Sequence, residues 1–297
     1  MQNNMDENVV VSVVILSYNH ESFIERCTRS VTCQTFKNFE IIFIDNNSQD
    51  KSYEKAWTLL NNSGVKFYAE KTKKNLGIAK GINYGIERAK GEFISVLAGD
   101  DWWDLENLFE KVQYAFANPE YGLIYGNGYA YNHMTQAINL FYEKPAVSGW
   151  IFKDILGGLS INTQGVLYKH ELLKLIGCFD ENAKVEDLDL WLRLAKVTPI
   201  GYVHKALTFY RHNNGTNISN NFTYMLEGCE YIFNKYRYEF PKEVKKLQLK
   251  QYTSFAYTLA EHHPSIKSLK FIFKNYKFNY LYNKQILKCL IKMAKKI

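Results

Sequence analysis

The chain has 297 residues, of which 46% are hydrophobic and 23% are charged, a composition typical of a folded globular protein. Its net charge of +7 belongs to one end, because Ser265–Ile297 holds nine lysines and no acid while the remainder has 28 basic and 30 acidic residues. This distribution argues against a general nucleic-acid-binding surface, and no apolar run approaches the ~20 residues that a membrane-spanning helix needs.

The first hundred residues alternate between short apolar runs and amphipathic segments. The apolar runs, predicted as strands, are Val9–Leu16, Phe39–Ile44, Val65–Ala69 and Phe93–Leu97. The segments between them, predicted as helices, are Ser22–Thr35, Lys51–Asn61 and Ile78–Ala89. Such alternation predicts an α/β fold, a Rossmann-like parallel sheet with helices on both faces.

Polar clusters follow three of these strands, and they are Ser17-Tyr18-Asn19, Asp45-Asn46 and Asp100-Asp101. Parallel strands bring their carboxyl ends to one edge, where ligands bind in open α/β sheets, so we expect the clusters to converge. Adjacent carboxylates repel unless a cation binds, and Mg²⁺ or Mn²⁺ with phosphate oxygens would suit them. The alternative is a surface turn in which Asp caps the next helix. No glycine-rich dinucleotide or P-loop pattern follows the first strand.

The second half mixes further elements. The predicted segments are a helix at Leu105–Ala117, a strand pair at Tyr121–Tyr131, an extended segment at Asn139–Val147, a short helix at Trp150–Leu156, a strand at Ser160–Tyr168, a helix at Lys169–Ile176, an amphipathic helix at Val185–Ala195 and a strand end at Thr208–His212. Glu186 and Asp187 lie in the first turn of the amphipathic helix, where the macrodipole also favours acids in proteins without any active site.

Six segments together resemble one family, in family order and over roughly residues 9 to 219. They are VVILSYN, FEIIFIDNNSQD, KNLGIAKGINYGIERAKGEFI, LAGDDWW, FDENAKVEDLDLWLRLA and YRHNNGTNIS. The sequence resembles the inverting family 2 glycosyltransferases with a GT-A fold. The resemblance implies transfer of one sugar from a nucleotide-sugar, usually a UDP-hexose, to a hydroxyl of a glycan acceptor.

The resemblance also implies roles for particular residues. Those expected to bind the nucleotide-sugar are Tyr18 at the base, Asp45 and Asn46 at the uracil and ribose edge, Lys80 at base or phosphate, and Asp100 at the ribose. Asp101 is expected to ligate Mn²⁺ or Mg²⁺ on the diphosphate, with His212 as a further metal or phosphate contact. Asp187 would be the catalytic base, with Glu186 beside it.

Two residues depart from the family pattern. Asn46 stands where a second acid is common, which leaves a dTDP- or GDP-sugar open, and Ala98 stands where the metal motif often has an acid. The QxxRW signature of processive synthases is absent, which favours transfer of a single sugar. Two alternatives remain at this point: a nucleotidyltransferase, and a non-catalytic carbohydrate- or lipid-binding protein on a degenerate transferase scaffold.

The expected domains are a transferase domain at 1–221, with a nucleotide-sugar half at 9–104 and an acceptor half at 105–221, and a helical extension at 222–297. In that extension Ile286, Leu290, Met293 and Ile297 share one helix face, with Lys284, Lys288, Lys292 and Lys295 away from it. Such a helix suits an anionic membrane surface, or it packs on the body or on a second copy.

Five scattered cysteines and a polar start predict reduced thiols and a cytoplasmic protein. Together with the basic tail, this places it peripherally on the cytoplasmic face of the inner membrane. By analogy with the family, its acceptor would be lipid-linked, in O-antigen, capsule or lipooligosaccharide assembly.

Overall fold

A computed structural model describes residues 9–144, 146–213, 215, 217–262, 265, 270 and 284–295 of the chain. The chain divides into two compact units. The first unit runs to Phe152 and includes Ser160–Ile218, and the second comprises Lys153–Leu159 and the chain from Ser219 onward.

Strands and helices alternate through the first unit. The strands are β1 (Val11–Ser17), β2 (Phe39–Asp45), β3 (Lys66–Lys71), β4 (Phe93–Ala98), β5 (Trp102–Trp103), β6 (Leu123–Asn132), β7 (Ile138–Leu140), β8 (Leu167–Lys169) and β9 (Ile200–His212). The helices of this unit are α1 (Ile24–Thr32), α2 (Ser52–Asn61), α3 (Ile78–Ile86), α4 (Asn107–Ala117), α6 (His170–Ile176) and α7 (Glu186–Ala195). Helix α5 (Phe152–Leu156) belongs to the second unit from its second residue onward. A short 3₁₀ helix, Ile218–Asn220, follows β9.

All strands of the described chain belong to one mixed sheet, in the order β3-β2-β1-β4-β8-β6-β9-β5, with β7 paired to β6. The four strands predicted from the first hundred residues are parallel to one another, as expected. The sheet then changes direction, because β8 pairs antiparallel to β4 and to β6. The predicted α/β class is confirmed, and the sheet continues into the second half of the unit.

Side-chain alternation along β1 shows why helices cover both faces. Val13 and Ile15 join a buried cluster with Cys27 of α1 and Ala56 of α2. The intervening side chain of Val14 faces α3 instead, where a Cβ added to Gly85 would meet Val14 Cγ1 at 2.5 Å. Successive residues of a strand point to opposite faces, so a continuous apolar run requires a covering layer on each side.

Two predictions for the second half are wrong. Tyr121–Tyr131 is not a strand pair, because β6 is a single strand whose partners β7, β8 and β9 lie elsewhere in the chain. Its glycines permit close approach rather than a turn: a Cβ on Gly126 would lie 3.3 Å from the Lys205 carbonyl oxygen. Of the predicted strand Ser160–Tyr168, only Leu167 and Tyr168 lie in a strand, β8, and Gly165 before them takes the left-handed region at φ +70°.

The second unit contains the helices α8 (Phe222–Tyr236), α9 (Pro241–His262) and α10 (Lys284–Ala294), which agree with the predicted helical extension. α9 packs against both α8 and α10. On the predicted apolar face of α10, Leu290 is half-buried, while the side chains of Ile286, Met293 and Ile297 lie outside the described part of the structure. Within that part, no helix has both the length and the apolar character needed to cross a bilayer.

Candidate active site

The three polar clusters of the sequence meet at one edge of the sheet. Ser17 at the end of β1 lies opposite Asp45 at the end of β2, and Leu16 lies opposite Ala98 at the end of β4. The residues that follow these ends therefore share the carboxyl edge. The predicted convergence is confirmed for Tyr18, Asp45, Asn46, Asp100 and Asp101.

The loops after β1 and β2 are joined by hydrogen bonds. The backbone N–H of Asn19 donates to Ser48 Oγ at 2.9 Å, and that of His20 donates to Ser52 Oγ at 2.8 Å. The Asn19 side chain accepts in turn from the Gln49 N–H at 2.8 Å. These bonds hold Tyr18 at the rim of the edge with 42% of its surface exposed, so its ring is available to a flat ligand.

Asp45 is fully buried and only partly satisfied. Its Oδ1 accepts from the Ser48 N–H at 2.7 Å, whereas its Oδ2 has no hydrogen-bond partner among the described residues. Burial raises the pKa of this carboxyl above its usual value. A buried acceptor without a donor is costly unless something supplies one, and an N–H of a ligand would do so.

Asn46 makes three hydrogen bonds to the turn that precedes α3. Its Oδ1 accepts from the Leu76 N–H at 2.7 Å, and its Nδ2 donates to Asn75 Oδ1 at 3.0 Å and to the Gly77 carbonyl at 3.1 Å. The amide thus fixes the turn that directly precedes the N-terminus of α3. Lys80 lies on that helix, largely exposed, with its Nζ 3.4 Å from Glu181 Oε2.

Asp100 and Asp101 occupy the centre of the edge. Asp101 is almost completely buried, and burial, followed by the charge of Asp100, raises its pKa well above the usual range. Its Oδ1 accepts from the Arg211 backbone N–H at 2.7 Å, and this bond and the Gln164 side chain both oppose the rise of the pKa. The Arg211 Nε donates to the Asp100 carbonyl at 2.8 Å. β9 therefore holds both acids in place.

The Arg211 guanidinium lies among aromatic rings. Its Cζ is 4.7 Å from the ring centres of Phe23 and Trp102 and 5.2 Å from that of Tyr131. One of its terminal nitrogens is 3.3 Å from His133 Nδ1. These contacts orient a buried cation beside the two acids.

His20 also lies at this edge. Its Nδ1 is buried without a hydrogen-bond partner among the described residues, and a Cβ on Gly99 would lie only 2.7 Å from it. Burial lowers the pKa of the imidazole, while the charges of Asp100, Asp50 and Asp45 act in the opposite direction. Gly99 is thus the residue that lets the ring approach the acids.

The donor set fits a divalent cation. The described residues contain no group of three His, Cys, Asp or Glu side chains able to enclose a metal. Mg²⁺ and Mn²⁺ nevertheless bind through one or two carboxylates plus substrate phosphates. A cation would relieve the repulsion that raises the Asp101 pKa. His212 ends β9 next to Arg211, and burial lowers its pKa, which favours the neutral form that ligates metals.

A second acid pair lies at the first turn of α7. Burial, followed by the charge of Asp187, raises the pKa of Glu186 to about 8. Burial also raises the pKa of Asp187, although its Oδ1 accepts from the Leu188 N–H at 2.6 Å, which opposes the shift. Both pKa values are therefore raised, which suits a general base working near neutral pH.

The segment that leads to this pair is anchored twice. The Asn83 side chain of α3 donates to the Phe179 carbonyl at 2.8 Å and accepts from the Phe179 N–H at 3.0 Å. Arg193 of α7 donates to the carbonyls of Ile176 and Cys178 at 2.9 and 2.6 Å. The first anchor ties the acid pair to the helix that Asn46 positions.

Sequence reasoning missed His20, Arg211 and Gln164. His20 directly follows the cluster Ser17-Tyr18-Asn19, and Arg211 lies in the predicted strand end Thr208–His212, so their position next to a strand end was a usable signal. Gln164 lies in a segment predicted as strand, and no local pattern marks it. Its effect on the pKa of Asp101 acts between residues far apart in the chain.

Comparison with known proteins gives matches to glycosyltransferases. The family model described as Glycosyl transferase family 2 matches residues 12–168. An uncharacterized glycosyltransferase of Rickettsia typhi is 27% identical over 212 residues, covering 67% of this chain and 62% of that protein. One from Haemophilus influenzae is 26% identical over 250 residues, covering 83% and 96%. The chain spans 62% or less of the length of the Rickettsia relatives named here and below.

The shares covered differ among relatives. A Rickettsia conorii relative, also an uncharacterized glycosyltransferase, is 26% identical over 246 residues, but the match covers only 39% of its length. Among solved structures, Staphylococcus aureus TarS 1–349 in complex with UDP-GlcNAc has a TM-score of 0.64 at 18% identity, covering 95% of this chain and 81% of that one. The mannosyltransferase PcManGT of Pyrobaculum calidifontis, in complex with GDP-Man and Mn²⁺, has a TM-score of 0.62 at 14% identity, covering 96% and 86%. These two likenesses establish the GT-A fold.

Proposed function

The chain belongs to glycosyl transferase family 2, and from that membership we propose that it moves one sugar, with inversion, from a nucleotide-sugar to a hydroxyl of a glycan acceptor. The observation that carries the proposal is the presence of two pairs of acids that have different surroundings. Asp100 and Asp101 lie at the ligand-binding edge of the sheet beside a buried cation, and Glu186 and Asp187 lie at a helix N-terminus with raised pKa values.

The donor is proposed to be a UDP-hexose. Tyr18 would pack on the base, the Oδ2 of Asp45 would accept an N–H from it, and Asp100 would approach the ribose. Lys80 would meet base or phosphate from α3. Asn46 would act by holding the turn before α3, because its amide is occupied by Asn75, Leu76 and Gly77.

Asp101, with His212, is proposed to hold Mn²⁺ or Mg²⁺. When bound, the cation would neutralise charge on the leaving diphosphate. The chain's own residues orient this ligand, because the Arg211 N–H donates to Asp101 Oδ1 at 2.7 Å. Loss of this hydrogen bond would leave a buried carboxylate free to turn.

Asp187 is proposed as the catalytic base. It would take the proton of the acceptor hydroxyl while that oxygen forms a bond to the anomeric carbon and the bond from that carbon to the diphosphate oxygen breaks. Attack from the face opposite the leaving group inverts the configuration. Glu186 would stand beside the base largely protonated at neutral pH, since burial and the charge of Asp187 raise its pKa to about 8.

The acceptor is proposed to be a lipid-linked glycan, reached from the cytoplasmic face of a membrane. Support comes from a surface in the second unit, here called the α10 patch, formed by Tyr257, Leu287, Ile291 and the lysines 288, 292 and 295. Leu287 and Ile291 are 49% and 51% exposed. Exposed apolar side chains among lysines suit an anionic lipid surface.

A thermal-shift panel of UDP-, dTDP- and GDP-sugars, each with and without Mn²⁺, tests the donor proposal. A ligand at 100 times its Kd adds about 2.7 kcal/mol to the stability of the folded state. We expect Tm to rise with UDP-sugars, and to rise further with Mn²⁺. If no nucleotide-sugar raises Tm under any condition, the transferase proposal fails and a non-catalytic binding protein becomes the better account.

A further inference from the structure

Arg193 of α7 uses all three nitrogens of its guanidinium group in short hydrogen bonds. Its Nε donates to Asp189 Oδ2 at 2.6 Å, and its two terminal nitrogens donate to the carbonyls of Ile176 at 2.9 Å and Cys178 at 2.6 Å. The Asp189 side chain is completely buried, and that of Arg193 is 18% exposed. Because the guanidinium is planar and its N–H directions are fixed, three acceptors determine both its position and its plane. The proposed chemistry uses neither residue.

The turn that accepts two of these bonds, Ile176–Cys178, has an unfavourable backbone. Gly177 lies at φ +85° and Cys178 at φ +56°, so two consecutive residues take the left-handed region. Cys178 has a side chain, which disfavours this conformation, so surrounding contacts must stabilise it. Its N–H donates to the Leu173 carbonyl of α6 at 2.8 Å, and its carbonyl accepts from Arg193. The peptide groups on both sides of Cys178 are thus fixed, one to α6 and the other to α7.

A second connection joins α7 to the residue after this turn. Phe179 is buried, and its backbone N–H and carbonyl both bond to the Asn83 side chain. Its ring lies edge-on to that of Tyr168, with 6.4 Å between the ring centres, and the Tyr168 hydroxyl accepts from the Trp191 indole N–H at 3.2 Å. Trp191 comes four residues after Asp187 on the helix. Contacts on two sides of α7 thus lead back to the same short stretch of chain.

The acid pair lies inside the loop that these contacts close. Glu186, Asp189 and Arg193 share one face of α7, because they are spaced at i, i+3 and i+7. Seven residues of a helix span about 10 Å, so a contact at Arg193 acts two turns away from the acids. The chain from Cys178 to Arg193 is joined at its ends by the 2.6 Å bond, and the acid pair is near its middle. A rotation or shift of α7 would therefore move the acids and break the Arg193 bonds together.

We propose that Arg193 is a positioning residue, which clamps α7 to the turn at Ile176–Cys178 and so sets the place of the acid pair at the start of the helix. Asp189 holds the guanidinium in the plane that both carbonyls require. The functional side of this role rests on the proposed function, in which Asp187 is the base. The structural side requires no activity, so the two sides are measured separately.

The structural side is tested by NMR on the full chain with ¹³C-labelled glutamate side-chain carboxyls. The variant Glu186→Gln identifies the Glu186 signal by its loss, and in the wild type we expect this signal to titrate at about pH 8. Arg193→Lys keeps the positive charge beside Asp189 but has one nitrogen in place of three, so it cannot bond to both carbonyls in the same plane. We expect the Glu186 signal to move and its midpoint to fall toward that of an ordinary glutamate, because burial is the main cause that raises it. An unchanged signal and midpoint overturn the proposal.

The matched control is Arg29→Lys on α1. Arg29 also bonds to an acid four residues earlier, Glu25 at 3.0 Å, but its side chain is 61% exposed. This variant should leave the Glu186 signal unchanged, and an equal shift would overturn the proposal. Asp189→Glu keeps both charges and displaces the guanidinium by one methylene, so we expect it to shift the signal in the same direction as Arg193→Lys. That variant keeps the proposal open to refutation where Arg193→Lys folds poorly.

The functional side is tested by comparing kcat for sugar transfer with the Kd of the nucleotide-sugar. A misplacement of a reacting group by about 1 Å can cost about 100-fold in rate. We expect Arg193→Lys to lower kcat about 10- to 100-fold and to leave the donor Kd within about twofold. In the Asp187→Asn background the same change should lower kcat no further, because the base is already absent. Losses that multiply would show that Arg193 does not act through Asp187.

The two tests separate the possible failures. If the wild-type protein transfers no sugar, the proposed function falls while the titration of Glu186 still decides whether Arg193 holds the acid pair. A shifted titration with an unchanged kcat would remove the functional role. Equal losses of kcat and donor binding in Arg193→Lys would show a general effect on the fold and overturn the positioning role.

Discussion

The acids of the candidate site owe their properties to burial more than to one another. In Asp101, Glu186 and Asp187 alike, burial is the largest cause of the raised pKa. A neighbouring carboxylate adds to the shift in Asp101 and Glu186. From two adjacent acids in a sequence one can predict that their charges repel and raise a pKa. The sequence does not show how strongly burial raises it, because burial depends on what packs around them.

Replacing the proposed base gives the sharpest single-residue prediction. General base catalysis contributes about 10²- to 10⁴-fold. We expect Asp187→Asn to lower kcat by that factor and to leave the Kd of the nucleotide-sugar within about twofold, because the amide keeps the shape of the side chain. The matched control is Glu171→Gln, an exposed acid in the first turn of α6.

Sugar transfer by each variant is measured at saturating donor. Undiminished transfer by Asp187→Asn would refute its role as base. A comparable loss in Glu171→Gln would indicate a general effect of charge removal in place of catalysis.

The pH dependence of kcat/KM follows from the raised pKa values. A protonated Asp187 cannot accept a proton, so activity is present above the pKa of the pair and is lost as pH falls through it. Because the pKa of Asp187 is raised and that of Glu186 lies at about 8, we expect the acidic limb to fall well above the range of ordinary carboxylates. Burial is the cause that raises the Asp187 pKa, and Glu186 ionises only near pH 8, so Glu186→Gln should leave the limb in place. A limb that moves to lower pH in that variant would show that a charge on Glu186 sets the pKa of Asp187.

Helix α3 shows how an element can be positioned by a residue that sequence reasoning assigned elsewhere. Asn46 bonds to three consecutive residues of the turn at Asn75–Gly77, and Asn83 of the same helix bonds to Phe179. Gly85 allows the helix to lie directly on Val14. The helix therefore connects the sheet edge with the segment that leads to Glu186.

At this scale we predict that Asn46→Asp destabilises the protein, although an acid is common at this place in the family pattern. A carboxylate accepts but cannot donate, so both Nδ2 bonds, to Asn75 and to Gly77, would be lost. Leaving such groups unsatisfied costs about 1–3 kcal/mol. Urea unfolding measures the change against Asn139→Asp, an exposed control on β7. An unchanged free energy of unfolding in Asn46→Asp would show that the turn does not depend on the amide.

At the scale of the whole molecule, positive charge is concentrated at the C-terminal end of the chain, where Ser265–Ile297 holds nine lysines and no acid. Lysines near an anionic membrane each contribute about 1 kcal/mol to binding. We therefore expect the combined change Lys288→Gln, Lys292→Gln and Lys295→Gln to weaken binding to phosphatidylglycerol-containing vesicles about 100-fold, since 3 kcal/mol corresponds to two decades in affinity. Flotation with such vesicles at 0.1 M salt is the measurement.

The control for the α10 patch changes three exposed lysines of α9, Lys242, Lys245 and Lys246, to Gln. It removes the same charge from the same unit without altering the patch. Equal loss in both triple variants would mean that net charge alone governs binding. If the variant with Lys288, Lys292 and Lys295 changed to Gln binds vesicles as well as the wild type, the α10 patch is not the membrane-binding surface.

Local patterns were enough to predict the strand–helix alternation, the parallel sheet of the first hundred residues and the edge where Tyr18, Asp45 and Asp101 meet. The reason is that an apolar run, its length and the polar residues that follow it all belong to one element. The ladder that aligns Ser17 with Asp45 follows from the parallel pairing of two such runs.

The tertiary structure determined the contacts between residues that lie far apart in the chain, which no local pattern predicts. Asn46 holds a turn about thirty residues away, Lys111 reaches a carbonyl 54 residues along, and Arg211 donates to an acid 110 residues earlier. Hydrogen-bond partners and burial depend on which distant segments pack together, so neither the role of Asn46 nor the pKa of Glu186 could be derived from spacing. The sequence by itself determined which residues lie at the sheet edge, and packing determined how each is held and charged.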